Sequence, residues 1–135
     1  DTDRSRGLGD VYKRQGNYVS YMTNIASTLK SKNCKLFYMS VNPINSTMIT
    51  KTGRGARTEA QVREFNSKIR SGLSLYYKYI DMYSVLMKKG YGTNARYDGV
   101  DDGDDGLHYT TKTFKRIYYY CITYLNTGSI NATYY

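Results

Sequence analysis

Apolar residues recur at helical spacing in three stretches of the chain and run together in two others, an alternation that predicts helices between strands. From Asn17 to Lys32, Val19, Met22, Ile25, Ala26 and Leu29 share one face, predicting an amphipathic helix over 17–32. Leu36 to Val41 is a nearly continuous apolar run rich in β-forming residues, as expected of a strand (36–41) buried on both faces of a parallel sheet. Asn42-Pro43 ends it. Thr47 to Arg57 is polar with two glycines and reads as a loop. Thr58-Glu59-Ala60-Gln61 reads as a capping box, opening a helix over 58–74 with Val62, Phe65, Ile69 and Leu73 inward. Tyr76 to Ile80 predicts a second strand (76–80), and Asp81 to Lys89 a short turn or helix. Tyr91 to Tyr109 is a long loop rich in Gly and Asp. Phe114, Ile117, Tyr118, Cys121, Ile122 and Leu125 give the cleanest helical stripe, over 110–126, and 127–135 is a polar tail. The chain has no internal repeat.

Strand, crossover helix and strand make a βαβ unit, so the expected class is α/β with a parallel sheet covered on both faces. In such sheets function gathers outside the carboxyl ends of the strands. Asn42-Pro43 leaves one such end, and the 91–109 loop follows the other and can return across the same rim.

Composition narrows the classes. The 135 residues make one domain or part of one. A mean hydropathy of -0.65, with no long apolar run, excludes a membrane span. Cys34 and Cys121 fit neither a zinc spacing nor a redox pair, and their apolar neighbours suggest buried free thiols. The net charge is +9, with the densest basic stretch at Lys51, Arg54, Arg57, Arg63, Lys68 and Arg70. Basic residues among 17 tyrosines raise nucleic acid as a partner, but no RNP, KH or helix-turn-helix signature accompanies them, and the reading is a soluble basic surface. Asp101-Asp102-Gly103-Asp104-Asp105 supplies no calcium-loop register, so no metal is expected. Asn45-Ser46-Thr47 and Asn131-Ala132-Thr133 match the glycosylation sequon, a pattern that recurs by chance.

The candidate chemistry lies in Asp105-Gly106-Leu107-His108-Tyr109, which holds the single histidine of the chain. From three residues upstream the Asp side chain can reach back to imidazole Nδ1, fix the tautomer and leave Nε2 free as a base. The adjacent helix N-terminus favours a neutral imidazole. The plain alternative is a polar loop whose histidine caps the helix.

This block, with Thr113-Phe114 and Ile117-Tyr118 after it, resembles the last block of the SGNH (GDSL-type) hydrolases. The resemblance extends through Leu36–Pro43, Phe65-Asn66 and Tyr79-Ile80-Asp81, so it covers roughly 17–125 and only the back half of that family's domain. It implies a fragment of a three-layer αβα, flavodoxin-like fold, with His108 and Asp105 as two members of a Ser-His-Asp triad. It further implies hydrolysis of small-molecule or carbohydrate esters, with no metal or other cofactor. Neither Gly-Asp-Ser nor Gly-x-Ser-x-Gly occurs, and Ser20, Ser27 and Ser40 lie in helical or strand patterns, so no nucleophile is assigned. Asn17 lacks the context of an oxyanion residue. Asp10–Gln15 resembles a translated sequencing adapter, so 1–15 is expected to be an artefactual leader and 16–126 the domain fragment, inactive by itself. A signal segment would precede it, and an extracellular or cell-surface location is the expectation. The competing reading is a non-catalytic basic α/β interaction module that binds anionic polymers.

Overall fold

In the computed structural model the chain is a mixed α/β fold, mostly helical, and residues 2–92 and 105–130 are described, with side chains from 16 onward. The order is α1 (Thr2–Ser31), β1 (Phe37–Met39), α2 (Ser46–Lys51), α3 (Glu59–Leu73), β2 (Lys78–Ile80), α4 (Met82–Lys88) and α5 (Thr111–Thr127). β1 and β2 form one two-stranded parallel sheet, held at Lys78 N–H to Leu36 O and Ser40 N–H to Ile80 O. The expected βαβ crossover is therefore present. Among the described residues no helix is long and apolar enough to cross a membrane.

Several expectations change. The first helix is not confined to 17–32 but runs from Thr2 through Gly16 without a break. The strands shrink from 36–41 and 76–80 to three residues each, and β1 is not buried on both faces: Met39 and Val41 are exposed. The cause is visible after Met39, where buried Ser40 turns its hydroxyl to accept Tyr83 N–H at 2.8 Å, and Pro43 follows with no N–H to extend a ladder. The 47–57 loop contains α2, because Asn45 caps it by accepting Met48 N–H at 3.1 Å. That capping holds Asn45 buried, so its sequon is inaccessible in this fold. The cysteines are free, but Cys34 is exposed and Cys121 only half-buried.

The chain divides into two compact units, Asp1–Tyr38 with Phe65–Tyr79, and Met39–Glu64 with Ile80–Tyr135. In the first, α1 lies close against the C-terminal half of α3, where a side chain on Gly72 would meet Val19 Cγ1 at 2.7 Å. Tyr77 donates to Met22 O at 3.0 Å, and Tyr18, Tyr38, Phe65, Tyr77 and Tyr79 form an aromatic cluster with ring centroids 5.6–6.4 Å apart.

The second unit has its core around Ile44, Ile49 and Val62, with Tyr83 and Leu107 packed on it. The capping box forms: Thr58 Oγ1 accepts Gln61 N–H at 3.2 Å and Gln61 Oε1 accepts Thr58 N–H at 2.9 Å. Thr110 caps α5 by accepting Thr113 N–H, and Gly128, in the left-handed region, ends it. The buried face of α5 is not the expected stripe. Thr113, Ile117 and Tyr120 point inward, whereas Phe114, Tyr118, Ile122 and Leu125 are exposed. The helix is turned by about one residue because the Thr113 hydroxyl bonds Tyr91 Oη at 3.1 Å in the interior and Tyr120 fills the next turn.

Candidate active site

The site begins with a turn. Asp105 is buried, and its Oδ1 accepts the backbone N–H of Leu107 at 2.8 Å and of His108 at 2.9 Å, folding the four residues into an Asx-type loop. Gly106 adopts φ +81°, and a Cβ there would sit 2.4 Å from Asn45 O and 2.8 Å from Ile49 N. Only glycine fits both the dihedral and the space. The turn delivers the His108 ring to Asp105, where Nδ1 meets Oδ2 in a short hydrogen bond. The structure brings Asp105 and His108 together, in a His108 side chain that is 57% exposed.

Burial pushes the Asp105 carboxyl upward, but the His108 N–H, the imidazole and the Leu107 N–H outweigh it and hold the group at about 2. Asp105 is thus a carboxylate at neutral pH. In the neutral tautomer that donates Nδ1–H to this carboxylate, Nε2 is the acceptor, the arrangement a general base requires.

The second unit grips this loop from the segment that follows β1. Asn45 N–H donates to Gly106 O at 2.9 Å and Tyr109 Oη donates to the buried Pro43 O, while Thr52 Oγ1, which donates to Met48 O at 2.7 Å, lies 3.3 Å from Asp105 O. Burial, then the neighbouring Tyr91 and Tyr83, push the Tyr109 phenol well above its ordinary range, so it remains a donor. Behind the loop, between Pro43, Asn45, Tyr91 and Tyr109, the cavity measures only about 10 Å³, the size of one water.

The serines of this unit are engaged in holding structure: Ser40 accepts from Tyr83 N–H, Ser46 Oγ accepts Glu59 N–H at 3.1 Å, and Ser84 Oγ donates to Asp81 Oδ2 at 2.8 Å. Asp101, Asp102 and Asp104 lie outside the described residues, as does Asn131. Among the described residues no three His, Cys, Asp or Glu side chains gather as a metal set.

Sequence reasoning passed over Arg54 as a site residue. Its Nε lies 3.8 Å from Asp105 Oδ2, the oxygen that also faces His108. Gly53 and Gly55 on either side, at φ +69° and +120°, and Arg54 N–H to Ile49 O at 3.0 Å set its position. The Gly-Arg-Gly pattern was the available signal. Compared with protein-family models, curated proteins and solved structures, the chain matches none.

Proposed function

We propose that this chain supplies the His and Asp of a Ser-His-Asp triad in a serine ester hydrolase of the SGNH type, as the C-terminal part of a three-layer αβα, flavodoxin-like domain. The observation that carries the reading is the Asp105–His108 pair. A buried carboxylate, ionised at neutral pH, pairs with Nδ1 of a ring whose side chain is 57% exposed. A helix-capping histidine would not need a buried partner, and here Thr110, not His108, caps α5.

In the proposed reaction, His108 Nε2 takes the proton of a serine hydroxyl as its oxygen attacks the ester carbonyl. The imidazolium that forms is stabilised by Asp105 and returns the proton to the departing alkoxide as the tetrahedral intermediate collapses. Water then repeats the sequence on the acyl-enzyme. Asp105 stays ionised throughout, its place fixed by two backbone N–H groups. Mechanistically the serine, absent from any suitable turn here, belongs to chain outside this sequence.

The test is hydrolysis of an activated acetyl ester by the product of the longer reading frame upstream of Gly16. Activity that His108→Ala lowers by roughly 10³-fold or more, with the fold retained, is the expected result. Residues 1–135 alone should hydrolyse nothing. Undiminished turnover in His108→Ala, or steady turnover by the 135-residue chain, sinks the reading. The rival basic interaction module would instead show salt-sensitive polymer binding with no dependence on His108.

A further inference from the structure

Arg54 stands beside the pair. Two backbone N–H groups take Asp105 Oδ1 and the imidazole takes Oδ2, and the Arg54 guanidinium forms a longer ion pair with that same Oδ2. At 3.8 Å the Nε of Arg54 is beyond hydrogen-bonding distance, and its two terminal nitrogens have no partner among the described residues. The side chain is 54% exposed, and its backbone is anchored between two left-handed glycines and by its N–H to Ile49 O. A half-exposed guanidinium therefore lies beside the carboxylate that orients His108, with its terminal nitrogens open to a second anion. Planar, bidentate recognition of a carboxylate is what such a fork does best.

We propose that Arg54 is a specificity-determining residue of this site and that the ester it favours carries an anionic group, such as a carboxylate, on the ester molecule itself. The proposal rests on the hydrolase reading above and extends it to a substrate class. Structural service to Asp105 is the alternative, and it predicts that Arg54→Gln disturbs the His108 resonances of the free chain, whereas substrate recognition predicts a change in the ester preference alone. The neighbouring cations Lys51 and Arg57 are exposed on the same segment and add to the local field, but neither has a contact with Asp105.

The single histidine makes the test direct in the chain as it exists, because the imidazole proton resonances in an NMR spectrum belong to His108 alone. Methyl hydrogen succinate, an anionic ester, is titrated against dimethyl succinate, its neutral counterpart. In the wild-type chain the anionic ester should shift the His108 resonances saturably, at a concentration roughly tenfold lower than the neutral one, the order expected of one charge-assisted contact in a half-exposed setting. Arg54→Gln should remove that preference, Arg54→Lys should keep part of it, and Arg57→Gln should leave it. Equal preference in Arg54→Gln, equal loss in Arg57→Gln, or no response to either ester in the wild type overturns the proposal. Asp105→Asn separates this from the parent reading. If that change leaves the imidazole nitrogen chemical shifts, which report the tautomer, where they were, the Asp–His pair itself is refuted. If those shifts move while Arg54→Gln keeps the preference, the substrate class alone is wrong.

Discussion

Replacing Asp105 by Asn removes the charge of the pair while leaving its shape. The amide oxygen can still accept from Leu107 and His108 N–H, so the turn survives, but the amide NH₂ now faces Nδ1 and reverses the tautomer. At neutral pH the variant loses the stabilisation that the ionised carboxylate supplies, and the signature of that loss is its pH dependence. Because the folded carboxyl sits at about 2 against an ordinary 3.8, its stabilisation is fully present above the unfolded value and is lost as pH falls through the folded one. That interval is worth roughly 2 kcal/mol at about 1.4 kcal/mol per unit, and closer to 1–2 kcal/mol once water around the exposed imidazole is allowed for.

Urea unfolding at a series of pH values between 6 and 2 measures this directly. The wild-type chain should lose that increment on acidification in addition to what other carboxylates contribute, and Asp105→Asn should lose correspondingly less. In the proposed hydrolase the same change should lower kcat severely through the wrong tautomer. Parallel stability–pH curves for the two chains would mean that Asp105 is not held ionised by the contacts described, and the argument for its role fails with them.

Three further changes probe the frame around the pair. Gly106→Ala combines a positive φ with a backbone clash at Asn45 O and should cost about 2–4 kcal/mol, read as a lower urea midpoint; a loss below 0.5 kcal/mol would show the loop can shift freely. Tyr109→Phe leaves the buried Pro43 carbonyl without its donor and should cost about 1–3 kcal/mol, whereas a neutral result would deny that contact any part in positioning the loop. On α5, Tyr120→Ala should cost about 3–5 kcal/mol and Ile122→Lys under about 1 kcal/mol; the reverse order would restore the stripe that periodicity alone suggests.

That stripe shows where the sequence is readable and where it is not. Helix positions followed from spacing and caps: Thr58 with Gln61 and Thr110 with Thr113 are local contacts, and the observed ends of α3 and α5 fall within a residue of the expected ones. Which face of α5 goes inward was not local. It turned on Thr113, a polar residue made inward by Tyr91, and on Tyr120, one of 17 tyrosines that a hydropathy pattern cannot sort into core and surface. Strand length failed for a related reason. Leu36 to Val41 has the composition of a buried strand, but the Ser40 hydroxyl is drawn to Tyr83, far along the chain, and pairing stops there.

The same distinction separates the two parts of the candidate site. Asp105 and His108 are three residues apart on a turn that the intervening glycine permits, so their meeting is a matter of local backbone geometry and could be read in advance. Arg54 and Thr52 reach that turn across a sequence separation of 53 for the Thr52 contact, and only the folded segment after β1 brings them together. Charge count pointed to Lys51–Arg70 as a diffuse basic surface. The fold picks one member of that run, fixes its backbone between two glycines and sets it against the carboxylate that orients the imidazole. Composition describes the field of a protein, but it takes the chain path to turn one charge of that field into a selective contact.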